Sequence, residues 1–176
     1  MEIRSESRIH HPRDVVFQVY RDRLPEIARY IPDIKEIVVH SREEAAGIVK
    51  LHNEWISSRD VPSYATGIVK PEFLRWDDFA TWNEPASVVE WTIRTRAFTE
   101  SVRCSGKNQF LEDGKDGTRV LLSGQLDISL KDIPGVPSFL KGRLAPQVEK
   151  FIVSLITPNL EHVNRSVERF LDENPR

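Results

Sequence analysis

Residues 147–173 read QVEKFIVSLITPNLEHVNRSVERFLDE. Val148, Phe151, Ile152, Leu155 and Ile156 fall at helical spacing on one face, and Leu160, Val163, Val167, Phe170 and Leu171 continue the stripe. No other segment of the chain holds a helical stripe of this length. Pro158 removes a backbone donor in mid-stripe and crowds the turn before it, which predicts a kink or an interruption. An apolar stripe of that length needs a matching apolar surface to cover it.

The upstream sequence supplies that surface as strands. In EIRSESRI (2–9), Ile3, Ser5, Ser7 and Ile9 alternate with Glu2, Arg4, Glu6 and Arg8. HHPRDVVFQVYRD follows, with Pro12 suited to a first helical turn and Val15, Val16, Val19 and Tyr20 on one stripe. RLPEIARYIP reads as a second short helix, opened by Pro25 and stopped by Pro32. IKEIVVHS and IVKLHNEWIS are two strands joined through REEAAG, with Val49, Leu51, Asn53 and Trp55 sharing a face. FLRWDDFATWNE, the turn EPAS and VVEWTIRTRAF form the next pair, in which Val89, Trp91, Ile93 and Thr95 face one way. Val102, Cys104 and Phe110 lie on the opposite parity, which predicts a turn or bulge near 97–99. TRVLLSGQLDISL is the clearest strand, with Val120, Leu122, Leu126, Ile128 and Leu130 on one face. The order is therefore strand, two short helices, about six antiparallel strands and one long helix. This predicts an α+β fold, a single domain over 1–176, in which a curved antiparallel sheet closes on the C-terminal helix and leaves a cavity between them.

The stretch RIHHPRDVVFQVYRDRLPEIARYIPDIKEIVV (8–39) and the C-terminal APQVEKFIVSLITPNLEHVNRSVERFL (145–171) together resemble the helix-grip superfamily. That superfamily includes START domains, polyketide cyclases and aromatases, and the birch-pollen-allergen type. The resemblance covers the whole chain in element order and rests on patterns of residue type. A weaker likeness, through LHNEWISSRDVPS and LDISLKDIPGVPSFLKG, runs to PRELI-type lipid-transfer proteins of the same fold. The resemblance implies a cavity for a lipid, sterol, polyketide or similar ligand. The fold hosts carriers and enzymes alike, so function must be argued from the site.

Composition narrows the classes. The 176 residues are 39% hydrophobic and 30% charged with a net charge of -2, a soluble and folded balance that argues against nucleic acid as partner. The N-terminus lacks the apolar core of a signal peptide, so a cytoplasmic location is expected. A single cysteine, Cys104, excludes an internal disulfide and a multi-cysteine metal site.

Three of the four tryptophans fall within WDDFATWNEPASVVEW (76–91), beside Asp77, Asp78 and Glu84. These acids could form a carboxylate pair for glycoside hydrolysis, or simply be solvated. Neighbours on a strand point to opposite faces, so Asp77 and Asp78 do not converge. Trp76, Asp78 and Trp82 share a parity, which leaves two readings open: all three outward, or Asp78 a polar group at the cavity rim. His40, His52 and Glu54 are read as facing solvent, His10, His11 and His162 lack ligand spacing, and no metal or cofactor is expected. Cys104 reads as a buried apolar thiol. Arg94, Arg96 and Arg103 could bind an anionic head group, or pair with Glu90, Glu100 and Glu54 on the solvent side. Ser5, Ser7, Asn53 and Thr95 are polar on apolar faces and need partners or a ligand. The apolar loop at 133–140 is a candidate for transient membrane contact or a lid.

The expected function is binding, and transport, of a hydrophobic or amphipathic small molecule. Asn53, Trp55, Trp91, Ile93, Val120, Leu122, Phe151 and Leu155 are the expected contacts, with no residue assigned to catalysis. The alternatives are a polyketide cyclase or aromatase acting in the same cavity, which needs an inward acid or base, and a partner-binding module with no ligand.

Overall fold

A computed structural model describes residues 1–61, 74–96, 99–129 and 138–175, the side chains of 138–144 excepted. The elements are β1 (Glu2–Ile9), α1 (Arg13–Asp22), α2 (Leu24–Ile27) with a 3-10 turn at Ala28–Tyr30, β2 (Ile34–Ala45), β3 (Ile48–Ser57), β4 (Arg75–Asn83), β5 (Val88–Thr95), β6 (Val102–Glu112), β7 (Thr118–Ile128) and α3 (Ser138–Glu173). These seven strands form one antiparallel sheet in the order β1-β7-β6-β5-β4-β3-β2, so the first strand pairs with the last and β2 ends the other edge. The predicted α+β architecture is the one observed.

Local chemistry explains the joints. Pro12 precedes α1 with φ -57, and Val16, Phe17, Val19 and Tyr20 are its buried stripe. The β2–β3 hairpin is tighter than REEAAG suggested. Ala45 pairs with Ile48, leaving only Ala46 and Gly47 in the turn, both at positive φ (52 and 76). That is the two-residue geometry which matches strand twist, and glycine adopts it without the cost Ala46 bears. The parity switch between β5 and β6 is real, since Ile93 pairs with Cys104 and Trp91 with Gly106. Residues 97–98 of the turn predicted there, and 130–137 of the proposed membrane loop, lie outside the described residues.

Helix α3 packs its apolar stripe inside the sheet, with Val148, Phe151, Ile152, Leu155, Ile156, Val163, Val167, Phe170 and Leu171 all buried. It runs as one helix through Pro158 where an interruption was the alternative. Proline cannot donate to the carbonyl four residues earlier, that of Ser154. Arg59, just past β3, donates from Nη1 to that Ser154 carbonyl at 2.9 Å and lies 3.3 Å from Ser154 Oγ. Its guanidinium also sits 5.9 Å from the Phe151 ring centroid. The side chain thus replaces the backbone donor that Pro158 lacks. Arg59→Ala should cost about 1–2 kcal/mol in urea unfolding. It should also speed amide exchange in the turns around 154–158, with little change at the far end of α3; uniform exchange along the helix would disprove the role.

The C-terminal half of α3 is tied down by polar bonds. Asn164 Nδ2 donates to Ser7 Oγ at 3.1 Å, and Ser166 Oγ to the Tyr30 carbonyl at 3.0 Å. His10 Nδ1 lies 2.7 Å from Glu168 and His11 Nε2 2.8 Å from Asp172. The paired histidines therefore join the chain's beginning to its last helix. Among the described residues, no helix is long and apolar enough to cross a membrane.

Candidate functional site

A cavity lies between the inner face of β3–β6 and the helices. All four tryptophans of the chain, Trp55, Trp76, Trp82 and Trp91, line it. Tyr20 and Leu24 enter from the helical segment after β1, and Ile156, Asn159, Leu160 and Val163 from α3. The space between atoms, counted out into the open mouth, totals about 560 Å³, and about 60 Å³ admits the centre of a water-sized sphere. That is a narrow slot, with room for roughly four to six waters, or for a flat ring that spreads its walls.

Each wall has a structural cause. Trp91 points inward from β5 beside Gly106, and its ring extends over Gly106 and Gly124 on the next two strands, where any side chain would collide with it. Its indole N–H donates to Asn108 Oδ1 at 3.0 Å, and Asn108 Nδ2 donates to the Tyr20 hydroxyl at 3.4 Å. Phe17, Tyr20, Trp82 and Phe110 pack together behind this line with centroids 5.1 to 6.0 Å apart, Phe17 edge to face with Trp82 and Phe110, and Tyr20 edge to face with Phe110. Trp55 and Trp76 are register partners and stack at 5.9 Å, 18° from parallel.

Asp78 stands in this wall. Strand pairing puts Asn53 on one side of it and Ile93 on the other, and it shares the inner face with Trp76 and Trp82. Asn53 Nδ2 donates to Asp78 Oδ2 at 3.1 Å. Among the described residues, those lining the cavity include no Lys, Arg or His. Loss of hydration pushes the Asp78 carboxyl up to about 6, against the pull of the Asn53 bond, the nearby Trp55 N–H and His52 across the sheet. Trp55 Nε1 lies outside hydrogen-bond geometry. Asp78 keeps some accessible surface and is one of the residues lining the cavity. Burial and then the Asp78 charge raise the Tyr20 hydroxyl, and push the Cys104 thiol up to about 12. Cys104 is therefore an inert core thiol.

Several polar atoms in or behind the wall of the slot are unpartnered among the described residues. They include Asn53 Oδ1, Trp55 Nε1, Trp82 Nε1 and Asn159 Oδ1. Asn159, one of the lining residues, spends its Nδ2 on the Leu155 carbonyl at 2.7 Å, and its Oδ1 has no partner among the described residues.

Of the residues expected to touch a ligand, Trp55, Trp91 and Ile93 line the cavity. Asn53 sits behind the wall as the support of Asp78. Val120, Leu122, Phe151 and Leu155 are buried in the surrounding core and are not part of this wall. Tyr20, Trp76, Asp78, Trp82, Asn108 and Asn159 line it without having been on that list. Of the two orientations left open for Trp76, Asp78 and Trp82, the inward one is found, and the solvated reading of Asp78 is corrected.

Asp77 faces the other way, as strand alternation requires. His52 Nε2 lies 2.8 Å from it, and Arg96 reaches both Asp77 (3.5 Å) and Glu54 (2.9 Å). Glu54 is on the outer face as read, but it is only 7% exposed, covered by Arg96, Arg75 and His40. Arg94 lies over the Phe79 ring at 5.1 Å, so this part of the basic cluster serves the outer sheet surface. No group that could hold a metal ion occurs among the described residues.

This geometry, an antiparallel sheet gripping one long helix around an aromatic slot, is the helix-grip fold. The sequence matches no protein-family model and no curated protein. Solved structures match it over nearly the whole chain. The protein TTHA0849 from Thermus thermophilus is 19% identical with a TM-score of 0.63, covering 97% of this chain and 99% of that one. The Zhui aromatase/cyclase from Streptomyces sp. R1128 is 13% identical with a TM-score of 0.63, covering 97% and 95%. Norcoclaurine synthase from Thalictrum flavum, in complex with dopamine and hydroxybenzaldehyde, is 12% identical with a TM-score of 0.63, covering 100% and 88%. At these identities the likeness is one of fold.

Proposed function

We propose that the protein binds a small hydrophobic or amphipathic molecule in the tryptophan-lined slot. The observation that carries this reading is the convergence of all four tryptophans on one cavity whose wall also holds unpartnered polar atoms. Apolar lining supplies affinity and a few polar groups fix orientation. Trp55, Trp91 and Ile93 are the contacts retained from the sequence, with Asp78 and Asn159 as the polar handles. That helix-grip structures include one holding two ring-bearing small molecules supports a ligand of that size.

The tryptophans are also the assay. Native mass spectrometry of the purified protein should show an adduct of one small molecule per chain. Its removal should shift tryptophan emission, and adding it back should restore the signal. A bare chain mass, with emission indifferent to every apolar compound added, would rule the reading out.

A second reading, a cyclase- or aromatase-type enzyme, is favoured by Asp78 alone. A carboxyl near 6 in an apolar slot is matched to proton abstraction near neutral pH, and the Tyr20 hydroxyl lies in the same wall. Turnover of a polyketide-like substrate that vanishes in Asp78→Asn, while the substrate still binds, would decide for it.

A further inference from the structure

We propose that the ligand of this cavity carries a protonated amine on an aromatic or short apolar body, with Asp78 as its counter-ion in the tryptophan-lined slot. This rests on the ligand-binding reading above and names the chemical class. Among the described residues, Asp78 is the single acid on the cavity wall, and the wall holds no cation to neutralise it. Burying an uncompensated carboxylate is costly, and a fold gains nothing from it unless a partner arrives.

The neighbourhood of Asp78 selects the charge of that partner. Trp76 is two residues away on the same face of β4. Trp55 lies diagonally across β3 and Trp91 diagonally across β5, each one register step from Asp78. Residues so related stand within reach of one another's side chains. A carboxylate in an aromatic-lined slot whose described wall holds no cation makes a site for positive charge. An anion would be repelled by the carboxylate, and a neutral aldehyde or alcohol would leave it unpaired. Asn159, on the α3 side of the same cavity and 5% exposed, keeps its Oδ1 without a hydrogen-bond partner among the described residues.

The other groups facing Asp78 leave this role open to a ligand. Asn53 from β3 donates one hydrogen bond, Ile93 from β5 is apolar, and Tyr20 from α1 and Cys104 from β6 are neutral at physiological pH. His52 projects to the outer face, where Asp77 engages it.

The test uses the purified full chain and three probes of nearly equal size: 2-phenylethylamine, 2-phenylethanol and 3-phenylpropionate. Affinities are read by tryptophan emission and calorimetry. At pH 7.5 the amine should bind at least about tenfold tighter than the alcohol, with the anion weakest. Asp78→Asn should erase that preference, so that amine and alcohol bind alike, its fold confirmed by circular dichroism. Between pH 7.5 and 5 the amine should weaken about tenfold as Asp78 takes up a proton, while the alcohol is unchanged. Equal binding of amine and alcohol by the natural protein would overturn the amine assignment and leave the cavity reading standing. An amine preference that survives in Asp78→Asn would overturn the role of Asp78. Failure of all three probes, together with a ligand-free native mass, would remove the cavity reading and this inference with it.

Discussion

Asp78→Asn should make the protein more stable at pH 8, by up to about 3 kcal/mol. The Asp78 carboxyl sits at about 6 in the folded chain against an ordinary 3.8. That difference, at about 1.36 kcal/mol per tenfold change in proton affinity, sets the upper bound, and water entering the slot lowers it by screening the charge. The direction follows from linkage. A group raised on folding favours the folded state fully below its unfolded value, near pH 4. That contribution is lost as pH rises through about 6, because the folded protein must then hold a charge it hydrates poorly. The amide replacement carries no charge, and its oxygen still accepts from Asn53. The two proteins should therefore unfold alike in urea near pH 4, diverge between pH 4 and 7, and keep a constant gap above that. At pH 8 the variant's Tm should exceed the parent's by roughly 6–12 °C at most. Equal stability at pH 8 would mean that the carboxylate is well solvated or paired, and the case for a ligand counter-ion would fall with it. A residue that lowers stability when the site is empty, and regains its interaction when a ligand binds, is what a functional position looks like energetically.

How far the sequence discloses this site follows from which signals are periodic. The α3 stripe, the alternation in β1, β5 and β7, and the proline-bounded helices are repeats of a single period, so the fold was readable before any coordinates. β4 is different. In WDDFATW the polar and apolar residues do not alternate, because outward Phe79 is apolar while inward Asp78 is charged. Pattern alone cannot orient such a strand. Orientation comes from the partners, as Asp78 opposite Asn53 and Ile93, and Ala80 opposite Trp91, fix the inner face. Four inward residues left unlisted, Trp76, Asp78, Ala80 and Trp82, all lie on this one strand. Asn108 had a usable signal, since it shares parity with Cys104 and Phe110. Asn159 had one too, four residues after Leu155 and one before Leu160, but a polar residue following Pro158 reads as part of an interruption. Val120, Leu122, Phe151 and Leu155 are inward, as their periodicity indicates, yet inward is a larger set than cavity-lining. Which core residues border empty space depends on side-chain volume in three dimensions, and no one-dimensional period encodes that.

Gly106→Ala should be the most damaging single methyl group in the sheet, costing about 3 kcal/mol or more in urea unfolding. A Cβ there would stand 2.4 Å from the Ser123 carbonyl, 2.5 Å from Trp91 Cζ2 and 2.7 Å from Gly124 Cα. Two of those neighbours are backbone, so the strand pairing of β6 with β7 must yield along with the ring. Gly124→Ala meets Trp91 Cη2 at 2.8 Å and the Ser105 carbonyl at 3.0 Å, a lighter conflict in which the side chain is the nearer obstacle. It should cost about 1–2 kcal/mol. Trp91→Phe should separate the two. A smaller ring relieves most of the Gly124→Ala penalty and little of the Gly106→Ala penalty, so the double-mutant coupling is large for the first pair and small for the second. Coupling of equal size in both would show that the glycines serve the backbone and not the ring. If the ring is what they serve, their effect extends to binding. Trp91 lies across β6 and β7 only because two consecutive strands offer bare backbone beneath it. A methyl at Gly124 lifts the indole toward the slot, strains its bond to Asn108, and narrows a cavity that already admits only a few waters. Gly124→Ala, folded but tighter inside, should therefore bind the aromatic amine more weakly than the parent, with a shifted tryptophan emission in the absence of any ligand.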